Sequence, residues 1–257
     1  MEDRHLTKLK EWFSLYITRF SSKKPDIRDA IERKIMHTAL VCDNIKLICS
    51  SEENQPNTFL AEAAALFHDI GRFPQLDRFG TFVDFKSLDH GTLAVDILLD
   101  ENVLSGISGS EQRCIFTAVK WHNKKDIPND LQEDELFLLK LLRDADKLDI
   151  LRMFSEYYPI SKTRPNELLE FGLPESDKCE DGIINAILDR RIADIMLSKS
   201  LNDIRLSKLS WFYDFNFPKS RRLFKERQYL DHTLAVLPDI PDVRKVAERI
   251  KKDMDNI

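Results

Sequence analysis

Glycine is scarce in this chain, with 7 among 257 residues, beside 10 prolines. Proteins built from β-hairpins spend glycine on tight turns, so an all-β fold is disfavoured, and no segment alternates apolar and polar residues over a useful strand length. No apolar run approaches the length of a membrane-spanning helix. The opening MEDRHLTKLKEW is charged and lacks the apolar stretch of a secretory signal. Positive charge is not in excess either. Lys and Arg number 39 against 44 Asp and Glu, a formal charge of -5, which argues against non-specific nucleic-acid binding because that needs a basic face. Four cysteines are present, Cys42, Cys49, Cys114 and Cys179, and none form a CxxC pair. Reduced thiols in a cytoplasmic protein are the expectation, with Cys42 and Cys49 seven apart on one helical face.

What remains reads as helix. Leu6, Leu9, Trp12, Phe13, Tyr16, Ile17 and Phe20 recur at helical spacing over 3–20. A polar SSKKPD loop follows, and Pro25-Asp26 can open a helix to about residue 50. Asn57 or Thr58 can cap an Ala-rich helix through about Asp69, with Gly71 as its stop. Residues 71–86 read as a long irregular connection holding Phe73, Phe79, Phe82 and Phe85, able to wall a site. Ser87 can cap a helix over 88–101, and Ser110-Glu111 opens one over 111–122. A long apolar helix starts at Glu133, with Leu139, Leu142, Asp146, Asp149 and Met153 on one face. Asp144, Asp146 and Asp149 are not expected all to be buried, since an unpaired buried carboxylate costs several kcal/mol. Further helices are expected at about 182–200, 201–214, 218–236 and 240–256. The fold class is therefore all-α: a helical core over 1–155 that includes an N-terminal helix, and a helical extension over 156–257 packing on it.

The chemistry concentrates in six residues. They are His37, the adjacent His68-Asp69, His90, His122 and Asp146, and they hold four of the six histidines, leaving out His5 and His232. A lone histidine on an apolar face is more often a hydrogen-bonded core residue than a ligand. The ordered set, in turn-bounded helices, favours ligands instead. Imidazole with carboxylate suits Fe, Mn, Co, Ni or Zn. Asp69 at a helix end can bridge two ions. His37, His68 and Asp146 can complete the first and His90 and His122 the second, as inward side chains do in metal-binding bundles.

These residues and the words around them, AALFHDIGRF, SLDHGTLAVDIL, AVKWHN and LRDADKLDIL, resemble the HD-domain metal-dependent phosphohydrolase superfamily. Its signature is His…His-Asp…Asp on an all-helical core, matched here by His37, His68-Asp69 and Asp146. His90 and His122 match the branch that holds two metals. The resemblance covers about 30–155. It implies an HD-type helical bundle with two divalent ions, Fe, Mn, Co or Ni, with Mg or Zn as other candidates. It also implies hydrolysis of a phosphomonoester or phosphodiester, with a small phosphorylated molecule or nucleotide as substrate. The further His and Gly-Tyr-Pro word of the cyclic-dinucleotide branch are missing after His122. Ile70-Gly71-Arg72 stand where (p)ppGpp hydrolases carry an acidic pair, and the dNTP triphosphohydrolases are longer and normally lack the second-metal histidines.

In this reading Asp69 holds the shared ions, and Arg72 and Lys147 stabilise charge building on phosphorus. Asn123 holds a supporting hydrogen bond beside His122. The alternative for Lys147 is a surface pair with Asp144 or Asp149. The basic run Lys219, Arg221, Arg222, Lys225 and Arg227 can grip a phosphate or simply face solvent. Two other functions share the motif: a di-iron oxygenase resembling myo-inositol oxygenase, and a non-catalytic binding or signalling module.

Overall fold

The computed structural model describes residues 1–20, 25–52, 57–165, 167–170 and 172–257, so most of the SSKKPD loop falls outside the described residues. The fold is all-α, with no strand among the described residues. No helix among them is long and apolar enough to cross a membrane. The chain divides into two compact units, Met1–Asp146 and Lys147–Ile257.

The first unit opens with α1 (Asp3–Ile17) and a single 3-10 turn to Phe20, then α2 (Pro25–Cys49) and α3 (Thr58–Phe67). Asn57 caps α3, its side chain accepting from the Leu60 N–H. Ala61, Ala63, Ala64 and Ala65 keep α3 slim, and α1, α2 and α6 (Gly109–Trp121) all pack against it. The one acidic side chain on this helix, Glu62, is buried and meets Lys10 Nζ at 2.6 Å. Val41, Ile45 and Ile48 of α2, Phe67 of α3 and Ile115 of α6 are fully buried; each such side chain contributes about 1.5–3 kcal/mol of transfer free energy. Cys42, Cys49 and Cys114 are buried free thiols and Cys179 is half-buried. Burial pushes the Cys42 and Cys49 thiols up to about 12, so neither is a ready nucleophile.

Four sequence expectations are corrected. Residues 71–86 are not an irregular connection: α4 (Arg72–Phe79) fills the first half, and its C-terminal residue is followed by Gly80 at φ +65°. Gly71 is not a helix stop. It has ordinary helical dihedrals, and its glycine is required because a Cβ there would lie 2.2 Å from the His90 carbonyl oxygen. The next helix, α5 (His90–Asp100), is capped by Asp89 rather than Ser87, and α6 by Ser108 rather than Ser110. On α7 (Glu133–Tyr157) the three aspartates are not all buried, as expected: Asp144 and Asp149 are, whereas the Asp146 side chain keeps 15% exposure. Asp149 is compensated by Arg152 Nε at 2.6 Å.

The second unit contains the end of α7, α8 (Glu167–Glu170), α9 (Asp181–Leu188), α10 (Leu201–Leu209), α11 (Pro218–Glu226), α12 (Tyr229–Leu234) and α13 (Pro241–Met254). The helix expected over 182–200 stops at Leu188; only a short 3-10 turn, Ile195–Leu197, follows before α10. Every residue of α10 is buried, and its charged members find partners. Asp203 and Ser200 close a capping box at its start, and Arg205 forms a bidentate pair with Glu175. The Tyr229 hydroxyl donates to the Leu148 carbonyl at 2.9 Å, tying α12 to α7.

Candidate metal centre

Five helices or helix ends of the first unit deliver the six residues to one buried cluster. His37 projects from the middle of α2, His68 is the residue after α3, and Asp69 follows it in the turn before α4. His90 begins α5, His122 follows α6, and Asp146 lies on α7. His37, His68, Asp69, His90 and His122 are all buried. A His-Asp dipeptide inside a helix would splay its side chains about 100° apart. At the end of α3 both reach the cluster.

The two oxygens of Asp69 face different histidines. Oδ2 lies 3.5 Å from His37 Nε2 and 3.4 Å from His68 Nε2. Oδ1 lies 3.4 Å from His90 Nε2 and 4.0 Å from His122 Nε2. Asp146 Oδ1 sits 3.1 Å from His37 Nε2 and 3.9 Å from His68 Nε2. Two subsets have ligand atoms close enough to share one ion: His37, His68 and Asp146, and His68, Asp69 and His122.

The ring nitrogens show what this arrangement needs. His68 Nδ1 is 2.7 Å from the Ala65 carbonyl and His122 Nδ1 is 2.8 Å from the Val119 carbonyl. A carbonyl only accepts, so each Nδ1 carries a proton, and in a neutral ring Nε2 is then the acceptor. His90 Nδ1 is likewise 2.8 Å from Asp84 Oδ2. His90 Nε2 and His122 Nε2 therefore meet at 3.1 Å as two acceptors with no proton between them. A second proton on either ring is opposed. Burial, then His90 and His68, push His122 down to about 3, and burial, then Arg72, lowers His90. Two facing lone pairs beside a carboxylate fit a cation between them, and imidazoles with carboxylates are the donor set of divalent transition metals.

The carboxylates are held ionised. Burial opposes the charge on Asp69, but Lys34, His68 and Arg72 together hold it well below the usual range. Burial likewise opposes ionisation of Asp146, and His37, foremost through its hydrogen bond, outweighs it. Asp84 falls to about 2, with the His90 hydrogen bond the largest contribution against burial.

Around this cluster stand residues that the sequence did not single out. Lys34 Nζ is 2.6 Å from Asp69 Oδ2. It precedes His37 by one helical turn, so their shared face was readable. Asp84 lies in a 3-10 turn, Asp84–Lys86, and carried no signal in the sequence. It also accepts from Arg72 Nη1 at 2.8 Å, from Gln75 at 2.9 Å and from Asn123 at 3.0 Å. Asn123 thus makes the supporting bond expected of it, and a second to Asp89 at 3.1 Å. Lys124 pairs with Asp89 as well. Arg72 reaches the cluster, its Nε 3.5 Å from Asp69 Oδ1, while Nη1 is held by Asp84, Gln75 and the Phe82 carbonyl. Lys147 is not on a solvated face: it is buried and pairs with Asp214. Of the four phenylalanines between 73 and 85, Phe82 alone stands by the cations, with Lys34 Nζ 5.6 Å and the Arg72 guanidinium 5.9 Å from its ring centre. Phe73 is core, and Phe79 and Phe85 are exposed.

The family model of the HD domain matches residues 35–151. Comparison with curated proteins and with solved structures returned no match. The matched stretch runs from just before His37 to just beyond Asp146 and contains the whole cluster. Residues 35–151, spanning α2 to α7, therefore carry an HD domain, which is an all-helical fold.

Proposed function

We propose that this protein is a metal-dependent phosphohydrolase that cleaves a small phosphorylated substrate, a nucleotide foremost, at two divalent transition-metal ions. HD domains are typically metal-dependent phosphohydrolases. The observation that carries the proposal is the division of Asp69, with Oδ2 turned to the His37–His68 pair and Oδ1 to the His90–His122 pair. His37, His68, Asp146 and Asp69 Oδ2 would hold one ion, and His90, His122 and Asp69 Oδ1 the other. Such ions, when bound, polarise a phosphoryl oxygen and draw the pKa of water toward neutrality.

The chain's own residues supply the remainder. Arg72 would face the charge that builds on phosphorus, with its guanidinium oriented by Asp84 and Gln75. Lys34 neutralises Asp69 and, with the carboxylate engaged elsewhere, would turn its ammonium to a substrate phosphate. Phe82 screens the two cations from water and strengthens their field.

Metal content of anaerobically purified protein, followed by a phosphoester panel with and without O₂, tests the proposal. Two ions per chain and O₂-independent phosphate release are the expected result. O₂ consumption without phosphate release would assign the site to di-iron oxygenase chemistry instead. One ion would remove His90 and His122 from the ligand set. None after reconstitution would leave a binding module.

Asp84 gives a finer test. Its carboxylate orients His90 by accepting from Nδ1. Partners of metal-bound histidines typically account for about 10–100-fold in metal affinity. Asp84→Asn should therefore weaken one of the two ions by about that factor and spare the other, read by titration against a chelating dye. Equal weakening of both, or of neither, would refute the orienting role.

A further inference from the structure

The Lys147–Ile257 unit carries a cleft that the proposed reaction does not use. Its volume is about 620 Å³, within the range of small-molecule sites. Arg190, Phe212, Tyr213, Arg221, Arg222 and Asp253 line it, all from this unit. The cleft has more positive charge than it neutralises. Asp253 is committed to Arg190, accepting from Nε at 3.0 Å and Nη2 at 2.8 Å, and to the Tyr213 hydroxyl at 3.0 Å. Arg221 donates Nη2–H to the Phe215 carbonyl at 2.9 Å, a neutral acceptor. Arg222 is exposed and meets no carboxylate among the described residues. The lysines of the same helix are different. Lys225 pairs with Asp255 at 3.0 Å and Lys219 approaches Glu226 at 3.8 Å. The surplus charge of α11 is thus concentrated in its two arginines, and both line the cleft.

Arginine suits this position. Its planar fork matches the oxygens of a phosphate, whereas an ammonium acts as a point charge. The half-buried Tyr213 ring adds a flat apolar surface beside the guanidiniums. We infer that this cleft is a nucleoside-phosphate site, with Arg221 and Arg222 gripping the phosphates and Tyr213 stacking the base. The basic run 219–227, which the reaction leaves without a role, thereby acquires one.

The test is a fluorescence titration of the full chain with N-methylanthraniloyl-ADP in excess EDTA, so that binding through a divalent ion is removed. Saturable binding, equal in the wild type and in Asp69→Ala, is expected. Arg222→Gln should weaken it about tenfold and the double variant Arg221→Gln/Arg222→Gln about a hundredfold, the loss expected for one and two charge-assisted contacts. Inorganic pyrophosphate should displace the probe. Arg222→Lys should fall between wild type and Arg222→Gln. Absence of saturable binding, insensitivity to the double variant, loss of binding in Asp69→Ala, or failure of pyrophosphate to compete would each overturn the inference. Arg222 is exposed, so its replacement leaves the fold intact, which far-ultraviolet circular dichroism checks.

Discussion

Asp69→Ala is expected to strip both ions from the chain and to reduce turnover by more than about a thousandfold, the scale lost when an essential catalytic group is removed. Asp69 is the only residue of the cluster whose two oxygens approach both histidine pairs, Oδ2 within 3.5 Å of His37 and His68 and Oδ1 within 4.0 Å of His90 and His122. Removing a ligand from one side alone would leave the other ion in place; removing the shared one weakens both. The fold should survive. Truncation of a buried carboxylate usually strands its partner, at a cost of a few kcal/mol. Here the partner Lys34 retains 19% exposure and can turn its ammonium to water. The measurement is metal content and helical circular dichroism on the same sample, beside turnover. A variant that keeps two ions would refute the shared ligand, and one that loses helicity would show Asp69 to be a structural residue first.

Gly71→Ala should be nearly as damaging, though it touches no ligand atom. The added Cβ would lie 2.2 Å from the His90 carbonyl oxygen and 3.0 Å from the Ala94 amide nitrogen. Both are backbone atoms, so no side chain can swing aside, and α4 and α5 must separate. Overpacking of this kind costs about 1–3 kcal/mol or more, and the absence of a flexible neighbour places this site at the upper end. A fall of about 5–10 °C in melting temperature follows for a chain of this size. Because His90 opens α5, the same displacement moves its Nε2 away from Asp69 Oδ1. The expected signature is loss of one ion per chain in protein that remains folded at low temperature. Gly91 is a parallel case, since a Cβ there would meet the Lys120 and Val119 carbonyls at 2.9 and 3.0 Å, just before His122. Wild-type stability and full metal content in Gly71→Ala would show that α4 and α5 can part without disturbing the cluster.

Both predictions begin with residues that the sequence marked, for different reasons. Asp69 was legible because the chemistry of metal binding admits few residue types. Four histidines and two aspartates in a fixed order, each near a helix end or on an apolar face, have few other uses. Gly71 was visible as a glycine after a helical pattern and was read as a stop. Its role is a distance of closest approach between two helices, which has no local signature.

Local patterns settled most helices of the first unit, though not α4: the period of 3.6 over α1 and α2, the Asn57 cap, and the Ala-rich body of α3. These depend on residues within a turn or two of one another, so a linear reading suffices. The surroundings of the cluster depend on chain segments far apart. Asp84 meets His90 and Asn123 across 6 and 39 positions, and Lys34 meets Asp69 across 35. Burial of Asp144 and Asp149 on one helix, with Asp146 largely covered beside them, also ran against the local rule that charges seek water. Arg152, one turn on along the same helix, and His37 from α2 offset the cost of desolvation for Asp149 and Asp146. The order of the six residues was therefore written in residue identity, whereas the tautomers, the orientation of Asp69 between two histidine pairs and the residues that hold them came from packing, because hydrogen bonds and charge act through space rather than along the chain.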